Sequence, residues 1–116
     1  MTFEELGKLH KELWGWLAET GTKEKSGWPE WKSNGGPVED VSFHCFCCNY
    51  VEHSYEPGRQ RDMCGYCPVV WVDGSPSGGV CSEGKSPYIR WNGAETPKTR
   101  KKYAAIIRDL PWERKV

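Results

Sequence analysis

A chain of 116 residues with 37% apolar residues, a mean hydropathy of −0.74 and no net charge has the size of one domain, 1–116, with a thin aliphatic core. No run approaches the roughly 20 apolar residues that span a bilayer, and the charge balance excludes the uniformly basic domain of a duplex-DNA reader. The N-terminus carries early acids and lacks the basic start, apolar middle and small-residue cleavage site of a secretory leader. The expected compartment is therefore the cytoplasm, where thiols stay reduced.

Residues 3–19 read as an amphipathic helix. Thr2 followed by Glu5 has the capping-box pattern. Phe3, Leu6, Leu9, Leu13, Trp16 and Leu17 recur at three- and four-residue spacing, and Gly21 is a plausible stop. Trp14 falls off the centre of this stripe, which makes it either a packer at the core's edge or an anchor for a partner. Residues 21–40 form an irregular connection punctuated by Gly, Pro, Ser and Asn. Within it, Trp28 and Trp31 either pin the loop onto the core or await a ligand.

Residues 41–91 hold all six cysteines and the short strand candidates. Val69-Val70-Trp71-Val72 is bounded by Pro68 and a Gly/Ser/Pro turn, Pro87-Tyr88-Ile89-Arg90-Trp91 offers a partner strand, and Val41-Ser42-Phe43 leads into the first cysteines. A second helix is expected over 97–110. Thr96 caps it, Pro97 suits its first position, and Tyr103, Ile106, Ile107 and Leu110 form its apolar face. The implied fold is α+β: N- and C-terminal helices packed around a four-cysteine zinc-knuckle core with a small antiparallel sheet.

The chemistry lies in the cysteines. Cys45 and Cys48, then Cys64 and Cys67, are two C-x-x-C pairs fifteen residues apart, the spacing of a four-thiolate zinc site. A two-residue spacer turns both sulfurs of a pair toward one ion, and two such knuckles complete a tetrahedron at about 2.3 Å from zinc to sulfur. Cys81 is the first reserve ligand, His44 and His53 are nitrogen alternatives, and Cys47 defaults to a small buried apolar residue. Four thiolates would serve an iron–sulfur cluster equally well.

Enzymatic readings find little support. His53-Ser54-Tyr55-Glu56 and Cys67-Pro68 have the wrong spacing and order for a zinc deaminase, and no H-E-x-x-H is present. Cys64-Gly65-Tyr66-Cys67 leads into Pro68 and a β-branched run, whereas a thioredoxin-type pair opens a helix. A structural zinc and no catalytic residue is the expectation.

The remaining surface candidates are a basic segment and exposed aromatics. Lys98, Arg100, Lys101, Lys102 and Arg108 read as a solvated helix face or as phosphate contacts for a single-stranded nucleic acid or a small anionic ligand such as a nucleotide. Trp14, Trp28, Trp31 and Trp112 are the candidate anchors for a protein partner.

In their order, Leu13-Trp14-Gly15-Trp16-Leu17, Cys45-Phe46-Cys47-Cys48-Asn49-Tyr50, Cys64-Gly65-Tyr66-Cys67-Pro68, Cys81, Tyr88-Ile89-Arg90-Trp91 and Ile107-Arg108-Asp109-Leu110-Pro111-Trp112 resemble small cysteine-rich proteins encoded by bacteriophages and prophages. The resemblance covers most of the chain through short motifs, and no assigned activity comes with it. It implies an accessory role in the host cytoplasm, exercised by binding a host or defence protein.

Overall fold

The computed structural model of the chain describes residues 2–41, 44–46, 69 and 87–113. They form three α-helices, α1 (Phe3–Thr20), α2 (Pro87–Asn92) and α3 (Pro97–Asp109), and two 3-10 turns, Lys25–Gly27 and Lys32–Asn34. The expected sheet is not found among the described residues. Among the described residues the only β pairings are two isolated bridges, Trp31 with Val38 in parallel and Val69 with Trp112 antiparallel. The α+β reading is thus corrected to a mainly helical architecture, in which α1 packs directly on α3 and α2 packs on α3.

The sharpest correction falls on Pro87-Tyr88-Ile89-Arg90-Trp91, which is the helix α2 and not a strand. Its burial shows why. Pro87 and Trp91, four residues apart, are buried, whereas Ile89 between them is 39% exposed. A half-buried strand would hide alternate residues. Aromatic and β-branched content pointed to a strand, but the burial period is helical. Of the other strand candidates, Val69 forms only its bridge with Trp112, and Val41 accepts from the His44 amide at 2.9 Å in a turn. Residues 42–43 and 70–72 lie outside the described residues.

Helix ends follow local chemistry. The Thr2 hydroxyl accepts from the Glu5 amide at 3.0 Å, and Gly21, left-handed at φ 71°, donates to the Leu17 carbonyl to close α1. Thr96 accepts from the Thr99 amide at 3.3 Å with Pro97 at the first helical position. From α1, the Lys11 ammonium donates to the carbonyls of Arg108 (2.9 Å) and Leu110 (3.1 Å). A cation there satisfies carbonyls that have no partner within α3 and opposes its dipole.

The buried face of α1 is Leu6, Gly7, His10, Leu13, Trp14 and Leu17, a rotation from the expected stripe that brings Trp14 and His10 inside and leaves Trp16 half-buried. On α3 the buried residues are Ala104 and Ile107, with Tyr103 and Ile106 half-buried. Small residues sit where elements meet closely. A Cβ at Gly7 would lie 2.6 Å from Cδ1 and 2.7 Å from Nε1 of Trp112, a ring held by its N–H donating to the Phe3 carbonyl at 3.0 Å. Gly7→Ala is therefore expected to destabilise by about 1–3 kcal/mol through overpacking, although alanine in a helix interior is ordinarily favoured by about 1 kcal/mol. Thermal unfolding checks this: the cost should shrink sharply in a Trp112→Leu background, and a raised Tm for Gly7→Ala alone would show that Trp112 does not dock on α1.

The connection 21–40 carries the two 3-10 turns and is ordered around tryptophans. Trp28 is 3% exposed and Trp31 fully buried. The Trp31 indole donates to the Lys25 carbonyl at 2.9 Å, and Asn34 donates to the carbonyls of Ser26 and Trp28. Glu30 and Lys32 exchange backbone bonds with Val38, as acceptor and donor, at 2.8 and 2.7 Å.

Candidate functional site

Of the expected metal ligands, Cys45 is described and half-buried, while Cys48, Cys64, Cys67 and the reserve Cys81 lie outside the described residues. Among the described residues no group of three or more His, Cys, Asp or Glu is placed to hold an ion. What the structure does define is how Cys45 is positioned.

Phe46, fully buried, stacks on Trp31 (ring centroids 5.2 Å, interplanar 25°) and meets Trp28 edge-on at 6.1 Å. On the other side His44 adopts a left-handed backbone, φ 50°, a conformation that carries strain for a non-glycine residue. Its imidazole lies 5.0 Å from the Trp31 ring, with Nε2 3.6 Å from the Asp40 carboxylate. Asp40 is in turn fixed by Ser33, whose amide and hydroxyl donate to it at 3.0 and 2.6 Å. The Ser33 hydroxyl, and then its amide, hold the Asp40 pKa below its ordinary value. Asp40's contribution to stability is thus complete above its unfolded-state pKa and is lost as pH falls through the lowered value. Ser33→Ala should raise the Asp40 pKa toward the ordinary carboxylate range in a carbon-detected NMR titration, and an unchanged midpoint would refute the contact.

Cys45 is half-buried against the core. The buried titratable group of α1 is His10, 2% exposed, with its ring 5.3 Å from Trp112 and 6.4 Å from Trp14. Burial pushes the His10 pKa down to about 4; Cys45 opposes that shift, and Lys11 and Lys25 add to it. The imidazole is therefore neutral at neutral pH, and its Nε2 finds no hydrogen-bond partner among the described residues. His10 is not among the residues that the sequence analysis nominates. The signal was available: His10 lies four residues after Leu6 and three before Leu13, in register with the apolar face.

Three of the four tryptophans expected as partner anchors are spent internally. Trp14 (4% exposed) meets Trp91 edge-to-face at 4.8 Å and Tyr88 at 6.1 Å, and Trp28 and Trp31 pack on each other at 5.1 Å. Trp112 is half-buried against Phe3 and His10. Burial inside their own chain leaves Trp14, Trp28 and Trp31 no face for a partner, so as anchors these residues are corrected to core.

The basic segment divides in the same way. Arg100 donates to the Gly21 carbonyl at 2.5 Å and the Ala94 carbonyl at 3.2 Å, tying α3 to the end of α1. Arg108 pairs with Asp109 at 2.9 and 3.2 Å, and that hydrogen bond raises its pKa. Lys98, Lys101 and Lys102 are exposed. Beside them Tyr103 carries Lys102 over its ring at 5.3 Å and Arg90 at 5.9 Å, and Ile89 is the exposed large apolar residue among the described ones.

No helix among the described residues is long and apolar enough to cross a membrane. Comparison with family models, curated proteins and solved structures returns no match.

Proposed function

We propose that the chain is a non-enzymatic, zinc-stabilised interaction module of the phage-accessory kind, which binds a protein partner stoichiometrically in the host cytoplasm. The zinc is structural. Cys45, Cys48, Cys64 and Cys67 are its ligands on spacing, with Cys81 in reserve. When bound, the ion crosslinks segments that have little aliphatic core of their own.

The observation that carries the reading is the division of labour among the aromatics and cations. Buried tryptophans make a rigid scaffold, and the polar groups of Arg100 and Arg108 are spent within the chain. Exposed on α2 and α3 are Ile89, Arg90, Lys98, Lys101 and Lys102, with Arg90 and Lys102 both over the Tyr103 ring, a set of apolar and cationic side chains that suits an acidic protein surface. The same three lysines favour a second reading, a single-stranded nucleic acid or an anionic nucleotide.

Elemental analysis of untagged protein should return one zinc per chain. A photo-crosslinker at residue 89 should capture one protein at 1:1 stoichiometry, and Lys98→Glu with Lys102→Glu should abolish capture. Capture that survives charge reversal would reject this face. Oligonucleotide affinity falling with salt at a slope near −0.7 per phosphate contact would replace the protein reading by the second.

A further inference from the structure

Helical periodicity fixes what α2 presents to the outside. Successive side chains on a helix are about 100° apart, so the buried pair Pro87 and Trp91 places Ile89 on the opposite side, at the apex, with Tyr88 and Arg90 on the two flanks. Ile89 is accordingly 39% exposed, the large apolar side chain left outside among the described residues. Each flank carries a cation on a tyrosine ring. On one, the Lys25 ammonium lies 5.1 Å from the centroid of Tyr88 and donates to its hydroxyl at 3.2 Å. On the other, Arg90 and Lys102 lie over the ring of Tyr103 at 5.9 and 5.3 Å. The Tyr88 ring is itself braced by Trp14 and Trp91, at 6.1 and 5.8 Å.

We propose that α2 is the ridge by which this chain engages its protein partner: Ile89 packs on an apolar strip bordered on both sides by carboxylates, one border facing Lys25 and the other Lys102. The inference deepens the interaction reading above and rests on it. Charge complementarity selects the partner, because cations on both flanks repel a basic or neutral border and are matched by an acidic one. The apolar apex between them selects a protein over a nucleic acid, since a phosphate backbone gains nothing from burying Ile89. Preorganisation supports the same reading. Lys25 and Lys102 already lie on aromatic rings, so binding has less side-chain freedom left to remove. The Lys25 ammonium has three donors, of which the Tyr88 hydroxyl takes one. Lys25 lies outside the basic segment 98–108, and only the fold carries it to α2 from 63 residues away in sequence.

The test titrates the full chain, followed by NMR, with a helical peptide that carries a leucine stripe between two rows of glutamate. Shifts should move at Lys25, Ile89 and Lys102 together, and the counterpart peptide with glutamine in both rows should bind more weakly. Ile89→Ser should weaken binding by about tenfold or more, and Lys25→Glu and Lys102→Glu by about fivefold each. Lys8→Gln, at an exposed lysine of α1, should change nothing. Lys25→Arg keeps a cation beside Tyr88 and should bind like the unaltered chain, which separates lost charge from a disturbed fold. Sensitivity to Lys102→Glu with indifference to Lys25→Glu would overturn the two-sided ridge and leave the interaction reading standing. Equal affinity for the glutamate and glutamine peptides would overturn the acidic border. Displacement of the glutamate peptide by an oligothymidylate, with binding indifferent to Ile89→Ser, would overturn both the ridge and the protein reading.

Discussion

Trp91→Ala should lower the free energy of unfolding by about 3–5 kcal/mol, a large part of the 5–15 kcal/mol that typically separates a folded domain from its unfolded chain. The ring is 2% exposed, lies edge-to-face on Trp14 with centroids 4.8 Å apart, and is flanked by Tyr88 at 5.8 Å. Two contributions add. Truncation removes contact area that only a ring of this size supplies, and it opens a cavity between α1 and α2 that fixed helices do not close. The six-residue α2 is too short to persist alone, and Pro87 and Trp91 are its buried residues. Loss of the ring should therefore undock α2 before the rest of the chain unfolds. Urea unfolding followed by circular dichroism measures the loss, and amide exchange at residues 87–93 locates it. Trp91→Phe should cost less than half as much, since it keeps the edge contact and removes an indole N–H that has no partner among the described residues. A change below about 1 kcal/mol for the alanine variant would contradict the packing.

A comparable loss, about 3–5 kcal/mol, is expected for Trp31→Ala, in a different layer. Trp31 is the hub of the 21–40 connection. Its ring is fully buried between Trp28 and Phe46, its indole N–H donates to the Lys25 carbonyl, and its own carbonyl accepts from the amides of Asn34 and Gly36 at 2.9 Å. Among its described residues only two short 3-10 turns and an isolated bridge hold this segment, so the side chain does what a long helix or a sheet ladder would otherwise do. Removing it also removes the surface on which Phe46 stacks, and with it the placement of Cys45. On the proposed zinc reading, Trp31→Ala should thus weaken metal binding as well as stability, whereas Trp31→Phe should keep most of the ring contact and lose only the bond to Lys25, about 1 kcal/mol. Chemical denaturation and zinc competition on the same two variants test both halves. Lost stability with intact zinc affinity would mean that Phe46 does not position the first cysteine.

What could be read without coordinates is unevenly spread. The two long helices were legible because their ends are written in residues a few positions apart: Thr2 with Glu5, Gly21 behind Leu17, Thr96 before Pro97. α2 was misread because its aromatic and β-branched residues fit a strand locally, and only the neighbours of Pro87 and Trp91 impose the helical face. His10 was not nominated because a histidine on a helix announces no role until its ring is seen buried against Trp14 and Trp112. The tryptophans were divided between core and partner, and packing assigned Trp14, Trp28 and Trp31 to the core.

By itself, then, the sequence determined the features that act over three or four residues: the caps of α1 and α3, the break at Gly21, the irregularity of 21–40, and the cysteine spacing that nominates a metal. The tertiary structure alone decided which face of α1 is inward, that residues 87–92 are helical, that Arg100 is a tie between helices, and that His10 is buried against Trp14 and Trp112. The reason is physical. Capping and turn preferences are settled by hydrogen bonds within one helical turn. Burial depends on which distant surfaces fill the same space, and no local pattern specifies that choice.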